Sequence, residues 1–532
     1  MMNPVRYTAL CLVAVMLCSP ASVCRAAASD YFFIHVVEEQ TGRGVPLVEL
    51  RTTSMIRLYT DSGGMAAFYE PGLMGQKVFF FVESPGYEFA ADGFGMRGVA
   101  LDTQPGKTAI IRIKRTQIAQ RLYRITGQGI YRDSILAGRE VPIDQPLLNA
   151  QVCGQDSANN CLYQGKLYWF WGDTARVSYG LGQFATSGAV STLPEKGGLD
   201  PDKGVNLTYF ADESGFSKKM FPLDGPGMVW IDGIITVKDP QGKQRMLCHF
   251  ARMKDLGSFH ERGIGIFNDS KQCFEPILRD TEQLMPYHAC GHATPVLVNG
   301  VSYWYFTIPF PAAVRMRVEA LLSKAGDPNQ YEVLTALGQD AGQPSSRWIA
   351  FGTLADRLGS RAAAQKALRK EHEAMHMVDS DSKKQITPHG GSVCWNRWRQ
   401  KWIMIFNQFG GDSSNLGEVW YAEADTPVGP WTAAVKIITH NKYSFYNPKQ
   451  HPYFDQDNGR LIYLEGTYCT TFSGDEKQAT PRYEYNQIMY RLDLSDPRLK
   501  SLQHTQSPDY NLSDPQARPD LSIFGSPAGQ SI

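Results

Sequence analysis

A hairpin of one design recurs five times between Gln151 and Leu494: a strand, a polar turn, then a strand dense in aromatic residues. The first copy is "VCGQDSANNCLYQGKLYWFWGDT", turning at Gln164-Gly165. "VWIDGIITVKDPQGKQRMLCHF" turns at Gln241-Gly242 and "HATPVLVNGVSYWYF" at Asn299-Gly300. "GGSVCWNRWRQKWIMIF" turns around Arg399-Gln400, and "HPYFDQDNGRLIYLEG" at Asn458-Gly459. Asn-Gly is among the strongest short-range hairpin signals. Further short strands follow most copies, such as "FATSGAV", "RGIGIFND", "AAVRMRVEAL" and "GEVWYAEADTPVGPW". Five antiparallel units of three to four strands predict a five-bladed β-propeller over residues 151–499. An irregular double sandwich is the competing architecture. The fifth unit has no evident fourth strand, and a strand near "LYRITGQGIY", within residues 117–150, is expected to complete it.

The flanking segments have other characters. Residues 29–116 carry short alternating strands around Gly-rich turns, "YFFIHVVEEQTGRGVPLVEL" and "IRLYTDSGGMAAFYEP", which predict a β-sandwich. Between 341 and 385 the stretch "LADRLGSRAAAQKALRKEHEAMHM" has helical spacing and reads as a short helical insertion. The tail, 500–532, is polar with several prolines. The fold class is therefore all-β, sandwich then propeller, with one helical interruption.

At the N-terminus, Arg6, the apolar run "ALCLVAVMLC" and the small residues "CRAAAS" follow the order of a secretory signal over residues 1–28. A secreted or periplasmic product is expected, without a membrane span. Seven cysteines lie beyond that segment, in no metal-binding spacing, and Cys153 with Cys161 is the one candidate local bridge. Lys plus Arg (53) equals Asp plus Glu (53), so the basic excess of a nucleic-acid-binding surface is missing. No GxSxG elbow, P-loop, HExxH or dinucleotide fingerprint is found.

In a propeller the innermost strand of every blade starts at one face beside the axis. On this reading Asp156, Asp232, His292, His389 and His451 start the five innermost strands and converge on one pocket. The returning strands bring Asp173 and Glu465 to the same rim. Each residue taken singly has a bland reading, since Asp caps loop amides and His satisfies structural partners. Trp230, beside Asp232, and Arg262, beside Glu261, are candidate sugar contacts, as an aromatic face and a planar donor. Tyr287, Phe310, Tyr446 and Tyr468, with Arg132, Arg176 and Arg315, are further candidates by proximity. No cofactor is expected; a structural metal at the axis, on His389 or His451, has no ligand motif behind it.

Two resemblances follow from these motifs. "TGRGVPLVEL" with "TDSGG" resembles the carboxypeptidase-regulatory-like β-sandwich. The "D…GKLYWFWGDT" hairpin, the second-blade Asp and "GEVWYAEADTPVGPW" resemble the five-bladed β-propeller glycoside hydrolases, including the arabinanase/xylosidase, invertase and neoagarobiose-hydrolase families. That resemblance implies a glycosidase acting on a polysaccharide or oligosaccharide. Asp156 would be the base or nucleophile, and Asp232 would hold the sugar and tune the acid. Most of those families have Glu at the third-blade position, whereas His292 stands here, as in the neoagarobiose-hydrolase type, and would be the acid. Glu465 and Glu261 are the reserve acids, and Asp173, Arg262, His389, His451 and Trp230 the substrate contacts. The alternatives are a non-catalytic glycan-binding or surface-adhesion protein and a polysaccharide lyase.

Overall fold

The structure is a computed structural model that describes residues 30–524, apart from 184, 283, 309–310, 338–345, 373–374, 376, 475–477 and 505–516. The signal-like segment and Phe310 lie outside the described residues.

Two four-stranded sheets form the N-terminal sandwich. One contains Phe32–Glu38 between Met65–Phe68 and Thr108–Arg115; the other contains Glu49–Thr52 and Lys77–Glu83. Alternation in Lys77–Glu83 sends Val78, Phe80 and Val82 inward. There they meet Ile34, Val36, Leu50, Phe68 and Ile111.

Five further sheets are the blades. Their innermost strands are Asn159–Tyr163, Met228–Lys238, Cys290–Val298, Pro388–Asn396 and Ser444–Gln450. Each packs beside the next, and Asn160 reaches the residue after the fifth strand, His451, at 2.6 Å, so the first and last are neighbours too. The fifth sheet is completed by Gln120–Arg124, which pairs antiparallel with Asn486–Asp493 and closes the ring. A blade lies between two others and is apolar on both faces, which is why "KLYWFW" and "KWIMIF" read as continuous apolar runs. Trp169 and Trp171, two apart and on one face, stack 6.1 Å apart inside this core.

Three features differ from the sequence reading. The head of the first hairpin, Val152–Gln155, leaves the blade and pairs with Thr174–Arg176 in a separate small sheet. In the fifth blade the innermost strand is Ser444–Gln450, and His451 follows its end instead of opening it. Pro448 obscured this strand, because proline removes a ladder donor; it is accommodated where the register shifts between Tyr446 and Lys449. Cys153 and Cys161 are free thiols: Cys161 packs on the Met246 sulfur at 3.2 Å inside the ring, while Cys153 sits in the small sheet.

The helical insertion comprises Phe351–Leu358 and Arg361–His372, between blades three and four. The tail returns as Ala517–Pro519 along Val296–Val298, at the end of that strand away from His292. Among the described residues no helix is long and apolar enough to cross a membrane.

Closure depends on fully buried Leu122 in the five-residue closing strand. Leu122→Ala is expected to lower stability by about 2–5 kcal/mol, read as a lower urea midpoint for the whole propeller.

Candidate active site

The ladder is interrupted within or just before every innermost strand. The pairing skips between Gln155–Thr174 and Asn159–Phe170 in blade one, and between Asp232 and Ile235 in blade two. It shifts between Cys290 and Thr294, between Pro388 and Gly391, and between Tyr446 and Lys449 in the others. Bulges re-aim side chains and end regular pairing. Left-handed residues make four of these breaks: Ser157 (φ 53°), Gly233 (53°), Gly291 (65°) and Asn447 (50°). Asp156, Asp232, His292 and His389 all lie at these breaks; in blade five the equivalent residue is Asn447, whose amide donates to Ser157 Oγ at 2.8 Å.

Asp156 is the most strongly perturbed carboxyl at the mouth. Burial, then the negative charge of Asp173, raise its pKa to about 7, against hydrogen bonds from Tyr446, Tyr485 and Ser157. Tyr446 Oη donates to Asp156 Oδ2 at 2.9 Å. A Cβ on Gly172 would lie 2.2 Å from Oδ1, so a larger residue there would push the carboxylate from its place. Burial also raises Asp173, opposed by the Trp230 indole N–H, which donates to it at 2.8 Å. Asn159 Nδ2 donates to Asp232 Oδ1 at 3.4 Å, and His288 Nε2 stands 3.7 Å from Asp232 Oδ2. Charge couples Asp156 to Asp173, Asp173 is bonded to Trp230 of blade two, and Asp232 of that blade stands beside His288 at the head of blade three.

The other expected site residues lie elsewhere. His292 is 7% exposed, and its Nδ1 accepts from the Lys449 ammonium at 2.7 Å. Burial first, then the Lys449 charge, holds its pKa well below the ordinary value, so it carries no spare proton at neutral pH. His451 and Glu465, both fully buried, face each other at 2.8 Å, with His451 Nδ1 taken by Asn160. Lys449 is pulled down to about 8 by burial, against the fields of Cys394, Glu465, Cys161 and Asp232. These groups are a buried polar layer around the axis. Glu261 is gripped by Arg252 (2.8 Å) and Arg279 (2.7 Å), which outweigh its burial and lower its pKa. Arg262 is buried against Asp280 and the Met285 carbonyl. Neither reserve acid therefore reaches the mouth: Glu465 is fully buried and Glu261 is held by its two arginines. His389 stacks against half-exposed Phe409 (6.2 Å, 22°) on the rim of blade four, and burial lowers it to about 4.

Of the further candidates, Tyr287 is buried against His372, Tyr468 stacks under Tyr443, and Arg315 is held by backbone carbonyls. Arg176 covers Phe216. Sequence reasoning missed Tyr485, Lys449, Asn159 and His288. Only His288 left a signal: it precedes His292 by four residues in "YHACGHATP". Among the described residues no group of three His, Cys, Asp or Glu could hold a metal ion.

No family model and no curated protein matches the chain. Among solved structures, it is similar to a GH43 β-1,3-galactosidase at 9% identity, over 70% of this chain and 59% of that one, with a TM-score of 0.34. An exo-β-1,3-galactanase from Phanerochaete chrysosporium gives 9%, 71%, 65% and 0.34, and an α-L-arabinofuranosidase from Fusarium graminearum 12%, 71%, 98% and 0.31. The chain spans less than two thirds of the first two. Likenesses of this strength decide neither substrate nor mechanism.

A carboxyl whose pKa is raised on folding destabilises the folded state as it ionises. For Asp156, moved from 3.8 to about 7, the folded chain holds the extra proton between those values. Stability from this group therefore falls as pH rises from 4 to 7. Asp156→Asn is expected to raise stability at pH 8 by on the order of 2 kcal/mol, discounted for partial exposure. The gain should vanish near pH 4, read by thermal unfolding across pH.

Proposed function

We propose that this chain is an exported glycoside hydrolase that cleaves a polysaccharide or oligosaccharide at the mouth of the propeller. The observation that carries this reading is Asp156, a carboxyl poised at about 7, one blade from the Asp232–His288 pair. A base titrating near the working pH combines availability with driving force. Asp156 takes a proton from the water that attacks the anomeric carbon. As the glycosidic C–O bond breaks, His288 Nε2–H gives its proton to the leaving oxygen, and Asp232 stabilises the imidazolium and holds the sugar ring. His288 takes the acid role first expected of His292, because burial and then the Lys449 ammonium oppose protonation there. Trp230 and the half-exposed rim residues Phe409 and Phe472 offer faces for sugar rings. Lyase chemistry with a tyrosine base is disfavoured: burial and Asp156 push Tyr446 and Tyr485 well above the ordinary phenol range.

The test is release of reducing ends from a panel of plant and algal polysaccharides. Asp156→Asn and Asp232→Asn should each lower turnover by roughly 10²–10⁴-fold with sugar binding retained, and His288→Gln should follow them while His292→Gln does not. The wild-type rate should rise with an apparent pKa near 7, and Asp173→Asn should move that limb to lower pH. Binding without turnover on any substrate would make the chain a glycan-binding protein, and an ultraviolet-absorbing unsaturated product would make it a lyase.

A further inference from the structure

Away from the mouth, a cavity of about 340 Å³ lies where the sandwich meets blade five, within the roughly 300–1,000 Å³ of ligand pockets. Arg124, Arg132 and Arg482 converge on it, with Asp133 between the last two. The charges do not balance. Asp133 is shared, paired with Arg132 and lying 3.2 Å from Arg482. Asp61, also in the wall, is saturated by the backbone N–H groups of Gly63, Met65 and Ser134 and the Ser134 hydroxyl. Among the described residues Arg124 has no carboxylate within ion-pair distance. It is 2% exposed, its terminal nitrogens donate to the carbonyls of Arg482 and Gln128, and its Nε has no partner.

An ionised guanidinium buried among carbonyls loses hydration, and the field of Asp61 offsets that loss only in part. Burial accordingly lowers Arg124 to about 10. Guanidinium forks match planar carboxylates and tetrahedral sulfates. The same cavity is lined by Tyr31 and Tyr69, whose rings lie 5.8 Å apart at 57°, with Tyr69 52% exposed. Exposed aromatic faces at a basic pocket suit the apolar face of a sugar ring rather than a bare ion.

We propose that this junction cavity binds an anionic saccharide unit, a sugar carrying a carboxylate or a sulfate ester, with Arg124, Arg132 and Arg482 on the anion and Tyr69 against the ring. This goes beyond the hydrolase reading and does not depend on it.

Calorimetry on the full chain, with galacturonate, galactose 6-sulfate, galactose and inorganic sulfate as probes, tests it. At least one acidic sugar should bind ten times or more tighter than both galactose and sulfate. The Arg132→Gln/Arg482→Gln double variant should lose that binding tenfold or more, and Tyr69→Ala should weaken it severalfold. Asp156→Asn should leave it unchanged. Galactose binding as well as the acidic sugars would overturn the proposal, as would sulfate alone binding equally tightly. So would unchanged affinity in the double variant, or loss in Asp156→Asn. Should the double variant not fold, Arg482→Lys, which keeps the charge and removes the fork, is expected to weaken binding; unchanged affinity there overturns the proposal equally.

Discussion

One short antiparallel ladder, Gln120–Arg124 against Asn486–Asp493, joins the start of the propeller to its end. Without it blade five would present an open edge, and only side-chain contacts such as Tyr463 with Asp202 would hold blade one against blade five from the outside. The five innermost strands take their positions from one another, so the relative placement of Asp156 and Asp232 depends on this closure. The ladder follows closely on the last long strand of the sandwich, Thr108–Arg115. Ring closure and sandwich docking are therefore coupled: Arg121 N donates to the Tyr87 hydroxyl at 3.2 Å, and Leu47 N to that of Tyr483 at 3.1 Å.

A closed ring alone makes no site, because regular strands send their side chains between the blades. The bulge at the head of each innermost strand turns a few side chains toward the axis. Depth then sorts their chemistry. Asp156 keeps partial access to water and can exchange a proton. Farther in, polar groups stand only in company: Lys449 with His292, Glu465 with His451. Removing one member of such a pair strands the other, so the buried layer is a structural floor beneath the mouth.

How far this could be read from sequence follows from the same physics. Hairpins closed by Gly-containing turns disclosed blades one to three and the apolar run "KWIMIF" blade four, and Asp156, Asp232, His292 and His389 lie at the breaks in their ladders. Blade five was misread by a few residues because Pro448 argues against a strand unless a bulge is foreseen. That shift brought His451 to the rim in expectation and hid Lys449 in a stretch without visible periodicity. Glu261 and Arg262 looked reactive because their partners, Arg252, Arg279 and Asp280, come from neighbouring strands and are assigned only by register. Tyr485 lies on an irregular connection, for which neither alternation nor turn chemistry offers a handle.

That connection ties the parts together. Within Pro481–Tyr485, Arg482 lines the junction cavity and Tyr483 donates to Thr60 O of the sandwich at 2.7 Å. Tyr485 approaches Asp156. Arg482 and Tyr485 both have positive φ, 66° and 59°, a conformation side-chain-bearing residues adopt only when their surroundings enforce it. The enforcing contacts come from both sides: the sandwich through Tyr483, and Asn486, whose amide donates to the carbonyls of Cys153 and Glu484. A hydroxyl that lowers the pKa of Asp156 is thus held by a backbone that the sandwich helps to pin. The N-terminal sandwich belongs to the scaffold of the mouth, although none of its own residues reaches it.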